Sequence, residues 1–303
     1  MLTRATIRKR LWEGINAFFG LNYREWPAEY TRVFEEKRSR KASEEQVLMG
    51  GLGVAQTKGE GAAVAYDTAD EGWTKLYKHV TTALAVAITE EAIEDNLYGA
   101  LPSLYGKALA RAIRESCEIR AAAILNNATA TGVWAGGDGV ALLSASHPRL
   151  DGGTFANTFA TPADLSETAL EDVFVMIDHA KDERGLPVRL QDKQLIIPPA
   201  LQFDAQRILG SDRRVGTGDN DTNALKDLGR LPSGVAIMRR ITDPDAWFVQ
   251  TDADQGLQCF VRRPTRRKME GDFETGNLRY KVDRRDSFGF TDPRCLYGSM
   301  GAG

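Results

Sequence analysis

From Trp73 to Ile88 the chain reads WTKLYKHVTTALAVAI, and its apolar residues keep one parity: Leu76, Val80, Leu84, Val86 and Ile88 on one side, Ala83, Ala85 and Ala87 on the other. A period of two marks a β-strand with two different faces. At about 3.3 Å per residue such a strand reaches on the order of 50 Å, whereas strands in compact domains run about 3 to 10 residues. The pattern therefore predicts one limb of a hairpin that projects from the body. AAVAY at 62–66 reads as the other limb, and the Asp-, Gly- and Thr-rich stretch between them as its turn.

The stretch just before it, MGGLGVAQTKGEG at 49–61, has the look of a phosphate cradle. Its spacing excludes one. A dinucleotide fingerprint needs a third glycine where Gln56 stands, and a P-loop needs glycine directly before Lys58 and Ser or Thr after it, where the sequence has Thr57 and Gly59. Gly50, Gly51, Gly53, Gly59 and Gly61, with Lys58 among them, read instead as a hinge whose glycines supply unusual backbone angles.

The remaining periodicities give a mixed chain. Ile7, Leu11, Ile15 and Phe18 predict an amphipathic helix with no core of its own, and the charge-dominated 23–46 a strap lying on something else. Thr89 caps a short helix that Gly99 stops. Pro102 opens the strongest helix, carrying Leu104, Tyr105, Leu109, Ile113, Ile119 and Leu125, about 36 Å long. Residues 132–160 read as a hairpin with long turns. A second helix starts at Ser166 and ends at Gly185; QLII, Pro198-Pro199 and a helix with Leu201, Ala205, Ile208 and Leu209 inward follow. Residues 211–234 read as a polar loop, and everything from Val235 onward as strands and turns.

Composition bounds the chemistry. The chain has 303 residues, 42% hydrophobic and 27% charged, with a formal net charge of −3, so about two domains are expected and no global pull toward nucleic acid or membrane. The apolar run 83–88 is far short of a membrane span, and Glu13, Gly14 and Asn16 interrupt any signal core. Cys117, Cys259 and Cys295 are widely separated, as reduced thiols are. His79, His147 and His179 each have a structural explanation, no metal-ligand spacing occurs, and Asp219 with Asp221 lacks the rest of a calcium loop. No catalytic, cofactor-binding or metal residue is therefore predicted. The one local basic run, with Arg262, Arg263, Arg266, Arg267 and Lys268, suits a weak DNA contact, a subunit contact or a solvated turn.

A projecting hairpin, an arm that cannot fold alone, a long helix and a second α/β unit describe a subunit completed by neighbours. The chain also resembles a known family, the major capsid proteins of tailed bacteriophages with the Hong Kong 97-type fold, particularly those of Mu-like phages and prophages. The carriers are EGWTKLYKHVTTALAVAITEEAIEDNLYG, DGVALLSASHP with LDGGTFANTFATPADLSETALE, LIIPPALQFDAQRIL and MEGDFETGNLRYKVDRRDSFGFTDPRCLYGS. The resemblance implies an α+β fold: an N-terminal arm over 1–46, an extended loop over 47–88, a peripheral domain over 89–160 and 255–287 with the long spine helix, and an axial domain over 161–254 and 288–303. It implies a virion shell protein, assembled in the bacterial host cytoplasm into hexamers and pentamers around DNA. Gly50, Gly51, Gly53, Lys58, Gly59, Gly61, Trp73, Leu76, Val80 and Leu84 are its expected assembly residues. Portal and scaffold or maturation protease are the expected partners, with no membrane. A shell of the same fold around a protein cargo is the alternative, and an oligomeric enzyme a third.

Overall fold

Two four-stranded sheets and one long helix organise the chain in the computed structural model, which describes residues 13, 15, 17, 19–20, 27–61, 63–89, 101–213, 222–272 and 276–302. The first sheet has the order β1–β10–β11–β4, from β1 (Glu35–Arg38), β4 (Val80–Ile88), β10 (Leu257–Gly271) and β11 (Leu278–Phe290). The 26-residue helix α1 (Leu101–Asn126) lies against it. Leu109 and Ile113 of that helix, Ile88 of β4 and Leu278, Tyr280 and Val282 of β11 share one core with Ile15 and Phe19 of the N-terminal helical stretch. Ile7, Leu11, Phe18 and the helix expected after Thr89 lie outside the described residues.

The second sheet, β12–β9–β7–β8, joins β7 (Asp192–Ile197), β8 (Val235–Ile237), β9 (Trp247–Thr251) and β12 (Leu296–Ser299). Alternation splits its side chains between two cores. Ile196, Ala236, Phe248 and Leu296 pack with the end of α1 and with Tyr30, Val33 and Phe34 of the strap. Leu195, Ile197, Trp247, Val249 and Tyr297 pack with α2 (Glu167–Asp178), α3 (Gln202–Gly210) and α4 (Ala224–Leu228). A sheet buried on both faces reads as continuous apolar runs, as QLII and AWFV do.

Several local expectations change. Trp73 to Ile88 is not one strand: β3 (Glu71–Lys78) pairs antiparallel with β2 (Ser43–Met49), while β4 pairs with β11 in the other sheet. The break is at His79, which is pinned between two hydroxyls, Nε2 at 2.9 Å from Ser39 Oγ and Nδ1 at 3.0 Å from Ser287 Oγ. Residues 63–66 of AAVAY form no strand, and β4 is a strand of the first sheet. Helix α2 starts at its Ser166 cap as expected, but ends at Asp178. Gly185, with φ of +80°, instead closes a turn over 182–185. The supposed polar loop holds α4, capped by the Asn223 side chain; Asp219 and Asp221 lie outside the described residues. Residues 147–155 form the expected hairpin as β5 (His147–Pro148) and β6 (Thr154–Phe155). No helix among the described residues is long and apolar enough to cross a membrane.

Candidate assembly surface

The β2–β3 hairpin carries residues 50–70, part of the stretch 47–88 expected as the extended loop, at its far end. Its base is tight: Gly50 N–H donates to Asp70 O at 2.9 Å, and a Cβ on Gly50 would lie 3.0 Å from that same oxygen. Gly51 and Gly53 are exposed, and a Cβ on either would come within 3.2 Å of a carboxylate oxygen, of Asp182 or Asp67. Of the loop glycines only Gly61 has positive φ, +77°. Gly50, Gly51 and Gly53 thus stand at close approaches and not at positive φ. Lys58, Gly59 and Gly61 are exposed at the tip.

Nothing in the sequence pairs this loop with residue 184, yet Arg184 grips it. Its Nη1 donates to Asp67 Oδ2 at 2.7 Å, and its Nη2 to Asp70 Oδ2 at 3.1 Å and to Thr68 O. Asp67 also accepts from Gly53 N–H at 2.7 Å, which ties the two limbs together. The Gly53 hydrogen bond, then the one from Arg184, holds the Asp67 carboxyl below its usual range.

At its root the hairpin is welded to the body. Tyr77 is 2% exposed, its hydroxyl 2.6 Å from Thr291 Oγ1, and its ring lies where a side chain on Gly289 would be, 2.8 Å from that Cβ position. Lys75 Nζ donates to Ala135 O and sits 5.8 Å from the Phe290 ring centre, and burial pulls its pKa down against the opposing charge of Asp138. Trp73 is half-buried. Beside them the surface is apolar: Leu76, Val80 and Leu84 are 48%, 54% and 48% exposed, and Leu76 and Val80 border a groove with Ile124, Val133 and Phe288. Four more exposed apolar residues, Leu52, Val54, Val64 and Tyr66, sit on the loop itself.

The basic run is neither a turn nor a free patch. It lies within β10, paired across to β11, with register shifts on either side of Arg263, the second spanning Pro264, which has no N–H to give the ladder. Arg263 and Arg266 both bind Asp283, Arg266 Nε at 3.0 Å. Burial raises that carboxyl, and these two arginines together with Lys281 more than offset it, leaving the pKa lowered. Arg267 lies over the Phe19 ring, 5.3 Å from its centre. Arg262 and Lys268 are exposed, and Lys268 stands opposite Lys281.

The histidines and cysteines are held as structure. His147 is fully buried, its Nδ1 2.7 Å from Asp138 Oδ2 and its ring stacked on Phe155, whereas His179 is exposed at the end of α2. Burial pushes the Cys117 thiol up to about 11 and Cys259 to about 12, and raises Cys295 as well, which leaves all three protonated and inert. Among the described residues no cluster of three or more His, Cys, Asp or Glu could hold a metal.

A family model described as phage capsid protein matches residues 70–299. No curated protein matches the sequence. Similar solved structures include the procapsid of bacteriophage JBD30, at 16% identity and TM-score 0.55, covering 98% of this chain and 75% of that one. The capsid of cyanophage P-SCSP1u is similar at 11% identity and TM-score 0.55, covering 88% and 85%. The capsid of an empty GTA particle is similar at 13% identity and TM-score 0.52, covering 89% and 88%. These likenesses show the fold; the family match, spanning α1, α2 and every strand of the two four-stranded sheets except β1, shows that the chain belongs to the phage capsid protein family and is a structural subunit of a virion shell rather than an enzyme.

Proposed function

We propose that the chain is the major head subunit of a Mu-like tailed phage, and that it closes hexamers and pentamers by laying its loop and hairpin on a neighbouring copy. One observation carries this. Leu76, Val80 and Leu84 stay half-exposed beside a groove, while Leu52, Val54, Val64 and Tyr66 are exposed on the same subunit's loop. Knob and groove on one chain make a head-to-tail contact that forms rings when its rotation closes. In this reading the assembly loop is the hairpin 43–78, shorter than 47–88 at its far end because β4 pairs with β11. The first sheet with α1 is the peripheral domain and the second sheet with α2 to α4 the axial one.

The same reading places assembly in the host cytoplasm, with a portal and a scaffold or maturation protease as partners. Packaged DNA meets the exposed face near Arg262, Lys268 and Lys281 only as a polyanion, without reading sequence. Negative-stain microscopy of the expressed chain tests the proposal. Capsomers and closed shells are the expected result, and a protein that stays monomeric with and without scaffold overturns it. Shells that fill with protein and never with DNA support the protein-cargo alternative instead.

A further inference from the structure

The described residues of 51–70 form no strand or helix, yet a side chain from elsewhere in the chain crosses to them. That side chain is built for the purpose. Asp182 Oδ1 accepts from both Arg184 N–H and Leu186 N–H, Asp182 N–H donates to Leu186 O at 2.7 Å, and Gly185 supplies the left-handed residue that closes the turn. Arg184 therefore projects from a rigid tip, with its side chain only 21% exposed. Its fork reaches three acceptors on the descending limb, and Asp67 passes the restraint to the ascending limb through Gly53 N–H. A Cβ on Gly53 would come within 3.2 Å of Asp67 Oδ2, the same oxygen that Arg184 binds, and one on Gly51 within 3.2 Å of Asp182 Oδ2 in the turn beneath.

We propose that Arg184 is a latch that sets the direction in which the 51–70 loop leaves the free subunit, so that the loop is oriented before a neighbour arrives. A loop that must find its direction on binding loses conformational entropy at that moment, and one already aimed loses less. A single exposed ion pair could not do this. A planar fork on three acceptors, joined to a cross-limb hydrogen bond, fixes geometry as well as charge. Because the contact is exposed, salt should loosen it. The latch deepens the shell reading by naming a positioning residue for its loop, and it rests on that reading only in its assembly arm.

The test uses the burial of all three native cysteines, which leaves Tyr66→Cys, 98% exposed in the parent, as the one reactive thiol for a spin label. In free subunits at low salt, Arg184→Ala should shorten the label's rotational correlation time several-fold. Arg184→Lys, which keeps the charge and loses the fork, should fall between. One molar salt should loosen the parent and leave Arg184→Ala unchanged, while Arg207→Ala, which breaks an exposed ion pair elsewhere, should have no effect. Equal label mobility in parent and Arg184→Ala overturns the latch. Asp67→Asn with Asp70→Asn probes it from the other side and must loosen the label too. With unchanged circular dichroism, Arg184→Ala subunits should close several-fold fewer shells, and a normal yield from a loosened loop overturns the assembly role. A parent that makes no shells overturns the shell reading, and the label then still decides the latch.

Discussion

Asp292 is a carboxyl buried at the seam of the two sheets, where it accepts from Arg294 N–H at 2.9 Å. Burial pushes its pKa up to about 6, more than that hydrogen bond and His147 pull it back. With the folded value above the unfolded one, the native state binds more protons between about pH 4 and 6. The stabilising contribution of this group is therefore full below about pH 4 and is lost as pH rises through about 6. Asparagine at 292 keeps the accepting oxygen and removes the titration. Asp292→Asn should gain roughly 1–3 kcal/mol over the parent at pH 8 and nothing at pH 4. Urea unfolding of free subunits at both values checks this, and a gain that persists at pH 4 contradicts it. The histidines separate in the same way. Their sequence contexts are equally dull, and nothing local tells one from another. The structure divides them: His147→Ala opens a cavity and takes the partner from Asp138 Oδ2, a loss of roughly 3 kcal/mol. His179→Ala, on the surface, should stay within about 0.5 kcal/mol. Thermal melts of both variants give the comparison, and equal melting points would show that the His147 pair contributes nothing.

At the level of elements, the sequence was legible where local chemistry decides. Ser166 caps α2, the Pro198-Pro199 break separates β7 from the turn leading into α3, and the apolar stripe of Leu109 and Ile113 marks α1. It was illegible where a distant partner decides. The parity of Leu76, Val80 and Leu84 runs unbroken through His79, so nothing local reveals that β3 pairs with β2 and β4 with β11. In β10 the run of arginines hides a strand, because Asp283, which binds two of them, lies on β11. The Arg184 grip joins residues more than a hundred positions apart and left no sequence signal. These corrections change what proteolysis should show. Lys58 is exposed in irregular chain, whereas Lys75 sits on β3 with its ammonium on Ala135 O. Trypsin should therefore cut free subunits after Lys58 and spare Lys75, and early cleavage at Lys75 would mean that the hairpin detaches from the body. Deletion shows the same boundary. Removing 51–69 spares β3 and should leave folded subunits. Removing 50–78 takes out Tyr77, with its contacts to Phe260 and Thr291, and should cost several kcal/mol. Equal urea midpoints for the two deletions would place Tyr77 outside the cooperative core.

For the whole molecule, the question is whether the subunit is finished by itself. Its cores are: the two faces of the second sheet and the inner face of the first are closed by residues of the same chain. Its hairpin side is not, because among the described residues β4 is an edge strand, with no charged residue along Val80–Ile88. Such an edge invites pairing or aggregation in a protein meant to stay alone. In the proposed shell it is surface held for a neighbour. Leu76 and Val80 are each about half-exposed, so covering them returns about 25 cal/mol for every Å² of apolar area removed from water, while leaving them open costs the free subunit little. Substitution can therefore separate folding from assembly. Leu76→Asp with Val80→Asp changes only surface in the subunit, and its unfolding free energy should stay within about 1 kcal/mol of the parent. In the shell the same carboxylates would be buried without partners, a loss of several kcal/mol at every copy of the contact. Sedimentation and microscopy should then show soluble, folded subunits or small oligomers and no closed shells. A matched pair on the outer face of β1, Glu35→Gln with Lys37→Gln, removes an exposed ion pair and should leave closure unaffected. Normal shells from the double aspartate variant would show that the apolar strip faces solvent in the assembly, and that the groove beside it is not where a neighbour docks.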